Sequence, residues 1–262
     1  MKKYHVPRGT KMEVGMRARC GPILGLVVIC VLVSIGGMAY GDLLFNGFEN
    51  PPYTTGSISG QDGWGMPMGA VTIINTAAHT GTQSVKIGTG NNAAQHNINV
   101  LAGPGDSISF WINPTFKNED GFGGVEFNLK PGGGGMNFQG GLVLRYNSVG
   151  DKYELFAREG FDLIDTGLDI GYIPLGSWYN FKMVNEGATY GVYYGESKYG
   201  SYDLGGAVGA ISLEGMALTS GTALFDDVSV AQTAQTPEPS TMFMFVSSLL
   251  GLGWKMKFKF LK

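Results

Sequence analysis

Cysteine, histidine and charge are all scarce in this chain, and no stretch between residues 42 and 236 shows a helical repeat. Of 262 residues, two are Cys, three are His and 15% are charged. Both cysteines, Cys20 and Cys30, fall in the apolar N-terminal segment. The body therefore has no disulfide framework, no thiolate metal site and no cysteine nucleophile. His79 and His96 are the histidines of the body; they are too few for a three-histidine metal centre, and their turn-rich polar surroundings make them read as surface residues. Gly132 to Gly135 follows Pro131 without the Lys-Ser/Thr of a phosphate loop, so it reads as a flexible connection. Positive charge is also short: between residues 42 and 236, 8 Lys and Arg stand against 19 Asp and Glu. Such a surface repels phosphate backbones, which excludes nucleic acid as an expected partner, and it offers oxygen ligands to a hard cation such as calcium.

What is present begins at the two ends. Residues 1–19 are basic, Gly21 to Gly37 is apolar, and the small residues Ala39 and Gly41 follow. This is the layout of a secretory signal peptide over residues 1–41, its apolar part helical, with cleavage after Gly41 or Ala39. A retained membrane anchor is the alternative, and Met16 is a candidate start. At the other end the polar linker 232–236 leads into Pro237-Glu238-Pro239, then an apolar run Met242 to Trp254, then Lys255, Lys257, Lys259 and Lys262. Two prolines keep the tripeptide extended and clear of the preceding domain. The apolar run suits a membrane-entering helix, and the lysines suit the negatively charged inner face. At 13 residues the run is short beside the roughly 20 of a full span, but Phe258 and Phe260 extend it while the lysines snorkel.

In that order, tripeptide, apolar run and basic tail over residues 237–262 resemble the PEP-CTERM sorting signal of bacteria. The resemblance implies export, processing by an exosortase-type membrane enzyme, and delivery to the cell envelope or the extracellular matrix. The family's usual arginine cluster is replaced here by alternating lysines.

From residue 42 to 231 the apolar period is two, which means strands. Expected strands are Leu43 to Glu49, Val71 to Asn75, Gln83 to Ile87, Ser107 to Asn113, and those carrying Val125/Phe127/Leu129, Leu142/Leu144/Tyr146, Tyr153/Leu155, Tyr179/Phe181/Met183 and Tyr190/Val192/Tyr194, with Ala223 to Val230 last. The acidic stretch Glu159 to Asp169, with carboxylates three and four apart, reads as a loop. Some ten strands joined by glycine-rich turns predict an all-β antiparallel sandwich of the jelly-roll kind. The pieces LLFNGFENPP, GSISGQDGW, TGTQSVKIG, GDSISFWINP, WYNFKMV and ALFDDVSV resemble concanavalin A-like or laminin G-like jelly rolls.

In the last expected strand, strict alternation sets Asp226 among Leu224, Val228 and Val230, and Asp227 with Phe225 and Ser229. A carboxylate on an apolar face must be paired or must ligate a metal. Jelly rolls similar to this one hold a structural calcium between an acid ending the first strand and aspartate in the last, which implies Glu49 and Asp226 with Asp227. The alternative is that Asp226 accepts backbone hydrogen bonds.

For ligand binding, Trp111 lies on the polar side of its strand, and Trp178 shares a side with Asn180 and Lys182. Flat rings beside amides and charges are the composition of a sugar-stacking surface, although both tryptophans equally suit a second core layer. No expected strand carries the alternating carboxylates of a glycoside hydrolase, and Glu126 stands alone in its strand. The expectation is therefore a non-catalytic binding or matrix module associating with exopolysaccharide. A purely structural or adhesive protein and a diverged carbohydrate-active enzyme are the alternatives.

Overall fold

The computed structural model describes residues 41–118, 123–131, 139–171 and 177–233. The signal segment, the Pro237-Glu238-Pro239 motif, the apolar run and the basic tail lie outside the described residues.

Sixteen strands and no helix occur among the described residues, arranged as two antiparallel sheets. The first sheet runs β14 (Ser197–Tyr202), β13 (Tyr190–Tyr194), β12 (Tyr179–Asn185), β7 (Ser107–Pro114), β16 (Ala223–Gln232), β5 (Ser84–Ile87), β4 (Val71–Ile74) and β2 (Gly56–Ser57), with β1 (Gly41–Asn46) also paired to β16. The second runs β11 (Asp162–Gly171), β10 (Lys152–Glu159), β9 (Gly140–Asn147), β8 (Gly124–Lys130), β15 (Val208–Leu218), β6 (Gly90–Leu101) and β3 (Trp64–Met68). The chain changes sheet at β2–β3, β3–β4, β5–β6, β6–β7, β7–β8, β11–β12, β14–β15 and β15–β16, which is how a jelly roll closes.

The core sits where the two inner faces meet. Ile108, Phe110 and Ile112 of β7 and Phe181 and Met183 of β12 face Val125, Phe127 and Leu129 of β8 and Leu142 and Leu144 of β9, all buried. Each such side chain, fully buried, contributes about 1.5–3 kcal/mol. These rows follow the period-two reading. Trp64 anchors one end: it is 2% exposed, and its indole N–H donates to the Tyr53 hydroxyl at 3.2 Å.

Three expectations need correction. The first strand stops at Asn46, short of Glu49, because Phe48 takes φ 55° and turns its ring into the core against Tyr53 and Trp64. The acidic stretch expected as a loop ends β10 at Glu159 and continues as strand β11 with Asp162, Asp165 and Asp169; a register shift opposite Leu155/Phe156 and Gly167 at φ 69° accommodate the three-and-four spacing of its carboxylates. In β16 the alternation breaks at a bulge between Asp226 and Ser229, where Asp227 has φ 46°. One extra residue shifts the phase of the strand. Phe225, Val228 and Val230 therefore all join the core, and Asp226 does not share their face.

Candidate functional site

The bulge in β16 falls where its neighbour changes. Ala223 to Phe225 pair with β5, and Val228 to Gln232 pair with β1, so Asp226 and Asp227 have no ladder partner on that side. The segment between β4 and β5 fills the gap. Asp226 Oδ2 accepts from the backbone N–H of His79 at 2.8 Å and of Thr80 at 3.2 Å, while Oδ1 accepts from the Asp227 N–H at 2.8 Å. Asp227 accepts from the Thr80 hydroxyl at 2.7 Å and pairs with His79 Nδ1 at 2.7 Å. A carboxylate oxygen accepts, so Nδ1 is the donor of this pair. Asp226 is fully buried, and burial pushes its carboxyl up to about 7.

Glu49 closes the same segment from the side. Its carboxylate accepts from the N–H groups of Thr82 and Gln83, both at 2.8 Å, and from the Thr82 hydroxyl at 2.8 Å. Burial raises its pKa, but the bonds from Gln83 and Thr82 outweigh that and hold the carboxyl below its ordinary value. The Glu49 carboxyl rests on Gly81, where a Cβ would meet it at 2.4 Å and where φ is +62°.

His79, held by its amide and its ring, lies flat on Trp111: centroids are 3.7 Å apart and the planes 14° from parallel. It meets Trp178 edge-on at 5.8 Å. Trp111 is opposite Asp226 on β16 and Asn180 on β12. Asn180 donates weakly, at 3.4 Å, to the Phe110 carbonyl. Trp111, Trp178 and Asn180 are all half-buried on the outer face of the first sheet, beside the exposed Lys182. The structure thus brings together the three residues expected to bind sugar, and it adds His79, which covers one face of Trp111 and leaves Trp178 as the more open ring. His79, expected at the surface, is half-buried and forms the joint between the carboxylates and the tryptophans, and no local pattern in AAHTGT announces that role.

The calcium implied by the resemblance meets carboxylates already engaged. Glu49, Asp226 and Asp227 spend both oxygens on donors from the chain itself. Among the described residues no group of three or more His, Cys, Asp or Glu side chains converges as a metal site. This arrangement does not fit a hard-cation site, and it makes the acids the fastening of the segment that carries His79.

Outside the described body, residues 235–257 match the model of the PEP-CTERM protein-sorting motif. The chain carries a PEP-CTERM sorting motif. The match takes in Pro237, Glu238, Pro239, Lys255 and Lys257, and the motif marks export and sorting toward the cell envelope. Comparison with curated protein sequences gives no match. Among solved structures the chain is similar to an endo-acting O-glycanase of the human gut microbiota, at 7% identity and TM-score 0.50, over 73% of this chain and 99% of that one. It is also similar to the globular domain of T. cruzi calreticulin, at 8% identity and TM-score 0.50, over 70% and 88%. Bacillus licheniformis β-glucanase aligns at 11% identity and TM-score 0.43, over 74% and 99%. Together with the two antiparallel sheets, the likenesses at TM-score 0.50 give the body a jelly-roll fold, and at these identities the likeness is one of fold alone.

Proposed function

We propose that the chain is an exported, non-catalytic β-sandwich module that is processed through its PEP-CTERM motif by an exosortase-type enzyme and associates with polysaccharide outside the cell. The observation that carries the binding reading is the half-exposed Trp178 beside the His79–Trp111 stack, with Asn180 and Lys182 on the same outer face. Aromatic faces take the apolar C–H faces of sugars, and amide, imidazole and ammonium groups take the hydroxyls. Rigid support matters for such a surface: His79 is fixed at two points, so little ordering remains to oppose binding.

The test is affinity electrophoresis of the wild type and Trp178→Ala in gels containing the producing organism's own extracellular polysaccharide. Retardation that falls at least tenfold in the variant is expected. Equal migration of both proteins with and without polysaccharide would favour a purely structural or adhesive role. Removal of the exosortase gene is expected to leave residues 237–262 attached, as read from the intact mass.

A further inference from the structure

Five polar side chains on the second sheet are closed off from solvent. On β8, Glu126, Asn128 and Lys130 alternate with the core residues Val125, Phe127 and Leu129; on β15, Ser212 and Glu214 alternate with Ile211 and Leu213. None of the five is more than 4% exposed. In the ladder Glu126 stands opposite Glu214, Asn128 opposite Ser212 and Lys130 opposite Ala210. The side chains lean toward the middle row. The Ser212 hydroxyl donates to Glu214 Oε1 at 2.6 Å, Asn128 Nδ2 donates to Glu126 Oε2 at 2.9 Å, and Lys130 Nζ reaches Glu214 Oε1 at 2.9 Å. Arg158 of β10 meets Glu126 Oε1 at 2.6 Å, which commits Glu126 to Arg158 and Glu214 to Lys130.

As an ion pair, Lys130 and Glu214 are expensive to bury: their side chains are 2% and 1% exposed, and the desolvation of two charges readily exceeds their attraction. Removing both charges by joining the two groups relieves that cost. The geometry also favours the joining. An amine held against a carboxyl in one fixed arrangement reacts as if its concentration were far above any reached in solution. The 2.9 Å contact sets Nζ at most about 4.1 Å from the Glu214 carboxyl carbon, because a C–O bond adds about 1.2 Å. Exclusion of water protects a bond formed there from hydrolysis.

We propose that Lys130 and Glu214 condense to an intramolecular amide that ties β8 to β15. Glu126, opposite Glu214 in the ladder, relays one proton from Nζ to Glu214 Oε2. A neutral amine and a carboxylic acid result. The Nζ electron pair then bonds to the carboxyl carbon, and Oε1 takes the negative charge, stabilised by the Ser212 hydroxyl that already donates to it. A second Nζ proton follows the same route to Oε2. The C–Oε2 bond breaks with its electron pair, Oε2 departs as water, and Oε1 remains as the amide oxygen. The ammonium and carboxylate together contain the atoms of one amide and one water, so the step consumes no oxidant, reductant or activated co-reactant. The link closes a loop across 84 positions of chain, and a loop so closed restricts the unfolded chain as a disulfide does. It is independent of whether the tryptophan face binds polysaccharide.

The experiment is mass spectrometry of the full chain, purified in mild detergent and then denatured, with peptide mapping to fix its ends. The wild type is expected to be lighter than its sequence by the mass of one water, and its digest to contain a branched peptide joining the segments of Lys130 and Glu214. Lys130→Ala and Glu214→Ala are expected at full sequence mass. Glu126→Gln keeps both reacting groups, and its linked fraction is expected to fall at least tenfold with unchanged circular dichroism. The wild type alone decides the matter should a variant fail to fold. The proposal is overturned if the wild type has its full sequence mass, or if the lost water maps to another pair of residues. It is equally overturned if the digest holds only linear peptides, as succinimide formation at Asp62-Gly63 would give. A link as complete in Glu126→Gln as in the wild type overturns the proton relay.

Discussion

Phe110 of the first sheet lies parallel to Phe127 of the second, ring centroids 4.2 Å apart and planes 2° apart. This contact orients both outer faces. With Phe110 turned inward its neighbour Trp111 is turned outward, and with Phe127 turned inward Glu126 and Asn128 are turned to the opposite side. Phe110 also touches Phe181 and Phe225, both at 5.8 Å, so it joins three strands of its own sheet to the other sheet.

Phe110→Ala removes that junction and leaves a cavity between the sheets. The expected loss is about 3–5 kcal/mol, measured as a lower midpoint of urea unfolding with the slope unchanged.

Asp226 sets a pH dependence. Its folded carboxyl titrates near 7, pushed up by burial from an ordinary value of 3.8. Between pH 4 and 7 the folded state therefore holds a proton that the unfolded chain has lost, and this group's contribution to stability falls as pH rises through that window and levels off above it. Asp226→Asn is expected to flatten this part of the stability profile, as read by melting temperatures of both proteins across pH 4 to 8. A profile in the variant as steep as the wild type's would refute the assignment.

Glu49 fastens the His79 segment from outside. Glu49→Ala removes the acceptor for the Thr82 and Gln83 N–H groups, with an expected cost of about 1 kcal/mol. Faster hydrogen exchange at those two amides, with β8 and β9 unaffected, is the diagnostic readout.

The same three acids bear on calcium. With their oxygens accepting from the chain itself, addition of calcium or of a chelator is expected to leave the thermal midpoint within about 1 °C, since a ligand that does not bind the folded state adds no stability. A rise of several degrees with calcium would show that the segment rearranges to admit it.

Period-two alternation was enough to place the strands around Phe110, Phe127, Leu144, Tyr153 and Phe181, because each buries one side chain in two, and that rhythm is written locally. It failed at Leu43 to Glu49 and at Asp226, where a positive φ changes the phase without any change in hydropathy. Strands β2, β3, β6, β11 and β15 are not among the expected strands; in β6 and β11 polar residues on both faces blur the rhythm, with Asn92, Gln95, His96 and Asn97 in β6 and Asp162, Thr166 and Asp169 in β11. The tryptophan side was legible from the polar neighbours of Trp111 and Trp178. The part played by His79 was not.

The sequence by itself determined the sorting motif, the all-β class and the inward rows of the core, since each depends on the order of residues along a short stretch. Only the tertiary structure decided which distant residues share a surface. Register between β8 and β15 sets Glu126 beside Glu214 across 88 positions of chain, and a one-residue bulge brings Asp226 and Asp227 to His79. Pairing of strands far apart in sequence is fixed by packing and hydrogen bonding across the sheets, and no local pattern encodes it.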